Sequence, residues 1–197
     1  MCSSDLVSGD FESALEFLEL NEDVLCLSLP IWNPPTSSFQ NSARGNQPSR
    51  CRAFIGCAHV MRRQTFLDLG GYNVKLWHQG EEMDLGARAL LSGFRCMHFP
   101  GALVHHMESN EGRNWSSMDF YGARNAVLWN DWYVPDSQQG VRRRRRIAAS
   151  FMHAVSHRRV GQLRGHWAAV PLRHQLARYR RRFSPEQFSE WLSLPFA

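Results

Sequence analysis

From Val141 to Phe183 the chain carries thirteen arginines and no acidic residue, whereas residues 1–140 carry ten basic and sixteen acidic side chains. The net charge of +5 is therefore a −6 portion, a +13 segment and two late glutamates, Glu186 and Glu190. Charge split this sharply predicts a mildly acidic domain followed by a strongly basic tail, the two signs suited to different partners.

At 197 residues the chain has room for one ordinary domain, or for a core of about 140 residues with an appendage. Apolar residues make up 43%, with seven Trp and twelve Phe, enough for a packed core and against global disorder. The five cysteines, at 2, 26, 51, 57 and 96, form no Cys-x-x-Cys pair. That argues against a disulfide framework or a zinc ribbon and for a reducing compartment. No apolar run approaches the roughly 20 residues needed to span a bilayer, and no basic-then-apolar leader precedes the first element. The chain reads as cytoplasmic, soluble or peripheral at the inner face of a membrane. The hexapeptide Met1 to Leu6 resembles the translation of a sequencing-library adapter, so residues 1–9 are expected to be a non-native or disordered start and the chain to be cut short upstream.

Hydrophobic periodicity predicts a helix over Asp10 to Leu20, then a strand over Val24 to Leu29 buried on both faces. Asn33 to Ser49 is polar and Pro-rich, a long surface loop. Arg52 to Val60 reads as a strand in which Gly56 lets another group approach closely, and Arg62 to Leu69 as a short helix ended by Gly70-Gly71. The clearest helix is Glu81 to Leu91, acidic in its first turn. Phe94 to Phe99 and Ala102 to His106 are strand candidates around Pro100-Gly101, and Ser116 to Trp132 is helical.

Chemistry concentrates at Gly80-Glu81-Glu82-Met83-Asp84. Three carboxylates at a helix start can simply complement the helix dipole. Their mutual repulsion also calls for a cation, a metal or a substrate hydroxyl nearby, and carboxylates in such a place suit general-base work. His105 ends a strand-like run, where a histidine serves either as a hydrogen-bonded structural residue or as a ligand.

The ordered set Phe54-Ile55-Gly56-Cys57-Ala58, Leu69-Gly70-Gly71-Tyr72, Gly80-Glu81-Glu82-x-Asp84-Leu85-x-x-Arg88, Gly93-Phe94-Arg95, Pro100-x-Ala102-x-Val104-His105 and Tyr121-x-x-Arg124-Asn125 resembles the C-terminal half of a family 2, GT-A-fold glycosyltransferase over roughly residues 52–130. The resemblance implies an α/β fold, a partial Rossmann-like sheet with flanking helices over residues 10–135, followed by an Arg-rich helical tail over 136–197. It implies inverting transfer of a sugar from a nucleotide-sugar donor to a saccharide or lipid-linked acceptor, as in cell-envelope polysaccharide synthesis. By motif position Glu82 is the base that deprotonates the acceptor hydroxyl, where the family more often has Asp. Glu81, Asp84 and Arg88 support it. His105 matches a metal-binding position, with Mg²⁺ or Mn²⁺ beside the diphosphate.

Gly56, Trp77 and His78 are expected by the donor sugar or acceptor, with core filling the alternative for Trp77. Arg113 and Arg124 are candidates to meet diphosphate charge, and an ordinary ion pair is the alternative for Arg124. The family's nucleoside-binding half and its Asp-x-Asp motif are absent from these residues, so the chain alone is expected to be inactive.

The tail alternates Arg with Ile147, Phe151, Val155, Leu163, Trp167, Leu172, Leu176 and Tyr179. Apolar faces at helical spacing among arginines suit an anionic membrane surface. A solvated tail is the alternative. No nucleic-acid motif of defined spacing is present, and no specific nucleic acid is expected. A basic adaptor without catalytic activity, binding anionic membrane or nucleic acid, is the competing reading of the whole.

Overall fold

A computed structural model describes residues 3–41, 45–107 and 112–196. Two compact units emerge, one built from Met1–Tyr72, Leu85–Glu111 and Glu190–Ala197, the other from Asn73–Asp84 and Gly112–Ser189. The division differs from the expected break at residue 135, because the helix after the last strand groups with the tail helices.

The first unit holds β1 (Ser3–Gly9), α1 (Phe11–Leu20), β2 (Val24–Ser28), β3 (Ile31–Asn33), β4 (Ser38–Phe39), β5 (Ser49–Cys51), β6 (His59–Met61), α2 (Arg63–Asp68), most of α3 (Glu81–Leu91), β7 (Arg95–His98) and β8 (Ala102–Met107). They form two four-stranded mixed sheets of order β1-β8-β3-β4 and β5-β7-β2-β6. Strand β2 runs parallel to β7, and β3 parallel to β8.

Asp10 caps α1, its carboxylate accepting from the Ser13 N–H at 2.9 Å, and Ala14 and Leu18 face the core. All five residues of β2 are buried, as a strand covered on both faces requires. On one face, Leu27, Ile31, Phe99, Ala102 and Val104 pack with α1. On the other, Cys26, Cys51 and Cys96 pack with Leu85 and Ala89 of α3.

Register aligns two rows across the second sheet. Cys51, Cys96, Cys26 and Met61 form one, and Ser49, His98, Ser28 and His59 another, two residues along each strand. Burial pushes the Cys96 thiol up to about 12, and raises those of Cys26 and Cys51 too.

Three expectations are corrected. Residues 1–9 are not left out of the fold, since Ser3–Gly9 pairs antiparallel with β8; Met1 and Cys2 lie outside the described residues. The loop expected over 33–49 contains β4, which returns along β3 through a Pro34–Thr36 turn. The strand expected over 52–60 is realised only at His59 and Val60, the start of β6, and residues 52–58 are a turn between β5 and β6. These strands lie on opposite edges of their sheet, so the segment must cross it rather than extend along it.

The second unit is helical, with α4 (Trp115–Tyr133), α5 (Asp136–His157), α6 (Gly161–Gln175) and the start of α7 (Pro185–Ser193). Helix α6 turns Gly161, Gly165 and Ala169 inward, and a Cβ at Gly165 would overlap the Phe120 carbonyl oxygen of α4. Small residues at this spacing let the two backbones approach closely. Tail arginines are drawn in by acids. Asp131, 1% exposed, accepts from Arg173 at 2.7 Å and Arg180 at 2.8 Å, and Arg182 pairs with Asp136. Phe183 and Phe188 bury against one another, with Phe183 against Trp129 and Tyr133.

Candidate functional site

The carboxylate cluster sits in the first turn of α3 and is positioned by α4. Asn125, buried on α4, donates through Nδ2 to the carbonyls of Trp77 at 3.0 Å and Gln79 at 2.5 Å. Its Oδ1 accepts from Arg124 Nε at 2.9 Å, and Arg124 Nη2 donates to the Lys75 carbonyl at 2.8 Å. The Arg124 guanidinium also lies 5.0 Å from the centre of the Tyr121 ring. Thus Tyr121-x-x-Arg124-Asn125 ties down the loop of residues 75–79 that leads into the acidic turn. Burial lowers the Arg124 pKa, and neither of the two carbonyl and amide partners is the acid that an ordinary ion pair would need.

Gly80 takes φ +89, which lets the loop turn into the helix. Asp84 is fully buried and accepts a 2.6 Å hydrogen bond from the Tyr133 hydroxyl. Glu81 and Glu82 are half-buried. Glu81 Oε2 is shut away from solvent without a hydrogen-bond partner, an unmet acceptor of the kind that a ligand hydroxyl or cation satisfies. Beside this turn lies a cavity of about 200 Å³ lined by Gln79, Gly80, Met83, Asn125, Trp129 and Arg146. Trp77 is 67% exposed, so it fills no core, and the exposed His78 meets Tyr121 edge-on at 6.2 Å. Arg113 lies 5.8 Å from the Trp115 ring centre.

Gly56, Arg88 and His105 belong to the sheet unit. Gly56 is exposed in the turn before β6. Arg88 donates to the carbonyls of Leu69 at 2.6 Å and Gly71 at 2.7 Å, so its guanidinium closes the end of α2. His105 is half-buried in β8, its Nε2 3.5 Å from Ser8 Oγ. Among the described residues no three His, Cys, Asp or Glu side chains converge to hold a metal ion. Sequence reasoning missed Asn125 and Tyr133 as the residues that fix the acidic turn. The Arg124-Asn125 dipeptide was visible, but its use in capturing loop carbonyls depends on tertiary placement.

No protein-family model matches the chain. Curated relatives that match include the polypeptide N-acetylgalactosaminyltransferase 9 of Homo sapiens and that of Macaca fascicularis, at 32% and 31% identity over 124 residues. Each alignment covers 54% of this chain and 20% of the relative, so the chain spans about a fifth of their length. A crystal structure of GalNAc-T7 with UDP, GalNAc and Mn²⁺ superposes with a TM-score of 0.50 at 16% identity, over 65% of this chain and 30% of that one. The fold is of the GT-A glycosyltransferase type. The GT-A-like architecture expected from the motifs is therefore present, with mixed sheets and flanking helices.

Proposed function

We propose that this chain forms the acceptor side of a glycosyltransferase that moves a sugar from a nucleotide-sugar donor to a hydroxyl of a saccharide or lipid-linked acceptor. The observation that carries the reading is the acidic first turn of α3, clamped by Asn125 and holding an unmet carboxylate oxygen. Similarity to polypeptide N-acetylgalactosaminyltransferase sequences supports the coarser part of the reading, sugar transfer from a nucleotide-sugar donor to an acceptor; the saccharide or lipid-linked class of acceptor rests on the motif resemblance alone. Glu82 takes the proton of the attacking hydroxyl, Glu81 Oε2 accepts from the acceptor, and Asp84 holds the turn. Exposed Trp77 offers an aromatic face to a sugar ring. The Mn²⁺ and UDP of the GalNAc-T7 structure support a divalent metal at the leaving diphosphate. A metal bound there would supply Lewis-acid stabilisation of the charge on the leaving diphosphate. His105 is the residue of this chain that would reach the metal, and among the described residues it has no two further ligating side chains grouped with it.

The test is transfer from nucleotide-sugar donors by this chain and by the chain with whatever its gene encodes upstream. The 197 residues alone are expected to be inactive. In the active form, Glu82→Gln should lower kcat by about a hundredfold or more. A base at Glu82 also entails inversion at the anomeric carbon, read by NMR of the product. A retained anomer takes Glu82 out of that role and leaves transfer itself standing.

A second reading concerns the basic segment. The outward side of α5 exposes Phe151 at 58%, Met152 at 66% and Val155 at 62%, with exposed Arg144 and Arg145 one to two turns earlier. Apolar side chains to insert and guanidiniums to meet lipid phosphate suit a peripheral site on an anionic membrane. Among the described residues no helix is long and apolar enough to cross one. Co-sedimentation with phosphatidylserine-containing vesicles, lost with neutral vesicles and with Phe151→Ser/Val155→Ser, is the expected result. Equal recovery with both vesicle types would remove this reading.

A further inference from the structure

A cavity of about 260 Å³ in the helical unit is lined by Asn130 of α4, Gln139, Gly140, Arg143 and Arg146 of α5, and Arg173 of α6. Its charge is one-sided. Arg173 is already engaged by Asp131, and Asp136, also in the wall, by Arg182. Arg143 and Arg146, one helical turn apart and so on one side of α5, have no carboxylate partner among the described residues. Arg159, Arg173, Arg180 and Arg182, elsewhere in the tail, each have one.

Arg143 and Arg146 are both exposed residues that border this cavity, and Arg146 also lines two others. Desolvation there, followed by the charge of Arg142, lowers its pKa. Unpaired guanidiniums facing a cavity are stabilised most by a planar-fork contact with an oxyanion. The same wall contains a second unmet group. Asn130 is 7% exposed and its Oδ1 has no hydrogen-bond partner, an acceptor waiting for a donor. Gly140 leaves room, since a Cβ there would meet nothing within 4 Å.

We propose that this cavity binds a small oxyanion ester carrying a free hydroxyl, with Arg143 and Arg146 holding the oxyanion and Asn130 Oδ1 accepting from the hydroxyl. Phosphate esters and sulfate esters share this chemistry. A volume of about 260 Å³ falls just under the usual small-ligand range of about 300–1,000 Å³, which favours a ligand of a few carbons over a nucleotide. The site does not involve Glu81 or Glu82 and stands or falls separately from the transferase reading.

Isothermal titration of the 197-residue chain at constant ionic strength tests it, with inorganic phosphate, inorganic sulfate, glycerol 3-phosphate and glycerol as probes. Glycerol 3-phosphate should bind saturably and more tightly than inorganic phosphate, and glycerol not at all. Phosphate against sulfate identifies the oxyanion. Arg143→Gln/Arg146→Gln should weaken glycerol 3-phosphate by about tenfold or more, whereas Arg144→Gln/Arg145→Gln, with the same charge change outside the cavity wall, should not. Asn130→Ala should bring glycerol 3-phosphate down to the level of inorganic phosphate and leave inorganic phosphate unchanged. Urea midpoints confirm that each variant is folded. Absence of saturable binding by either anion, or equal loss in the two arginine pairs, would overturn the proposal in favour of diffuse surface charge.

Discussion

The Tyr133 hydroxyl donates a 2.6 Å hydrogen bond to Oδ1 of the fully buried Asp84. It joins the last residue of α4 to the first turn of α3, so the acidic turn is fixed by a residue forty-nine positions away. A carboxylate this deep depends on every donor it has. Tyr133→Phe removes one donor and little volume, and should destabilise the chain by about 1–3 kcal/mol. Urea denaturation measures it, and an unchanged midpoint would show the bond to be dispensable.

Asp131 is the corresponding anchor of the basic segment, accepting two bonds from Arg173 through Oδ1 and one from Arg180 through Oδ2. Asp131→Asn leaves both guanidiniums short of their counter-charge at a site 1% exposed. A loss of roughly 3–5 kcal/mol is expected, as for breaking a buried pair from one side. Limited proteolysis should then cut first between α6 and α7, at Arg180, which Asp131 had held.

Gly165→Ala tests the close crossing of α4 and α6. Its new methyl would overlap the Phe120 carbonyl oxygen and press on the Arg124 backbone nitrogen, 3.0 Å away. Backbone on both sides cannot rotate aside, so the helix-propensity gain of about 1 kcal/mol from Gly to Ala should be outweighed by overpacking of about 1–3 kcal/mol. At Gly140, where a Cβ meets nothing, the same change should stabilise. Thermal melts of the two variants should therefore move in opposite directions.

Helix α3 was legible to the residue, because its carboxylates open it and Gly93 follows its end, and both signals are local. Strand β2 was legible from its unbroken apolar run. The turn at 52–58 was not, since its apolar residues are shared between a crossover and a strand, and only sheet order separates them. Nor was the inward role of Arg173 and Arg180. A run of like charge is solvated unless acids meet it, and the acids that do so, Asp131 and Asp136, stand on or just after the preceding helix. Glu81 and Glu82 could be picked out by their crowding, whereas Asn125 and Tyr133, which fix them, contact them only through the fold.

His98 and His59 give the last prediction. Both lie in one row across the second sheet, each has an Nδ1 closed off from solvent without a hydrogen-bond partner, and burial lowers the pKa of both. The folded chain therefore resists a proton that the unfolded chain accepts near the ordinary histidine value of 6.5. Above that pH both states are neutral at these positions and stability is unaffected. As pH falls below it, the unfolded state gains protons first and stability declines, by up to about 1.4 kcal/mol per pH unit for each group until its folded pKa is reached. Asp23, whose pKa is lowered by its hydrogen bond to Arg95, acts in a separate window, since its contribution is lost only as pH falls below the ordinary carboxylate value of 3.8. Urea midpoints at pH values of roughly 7.5, 6.5, 5.5 and 4.5 should show the fall beginning below the histidine value. His98→Gln should flatten it over that interval, and an unaltered slope in that variant would assign the pH dependence elsewhere.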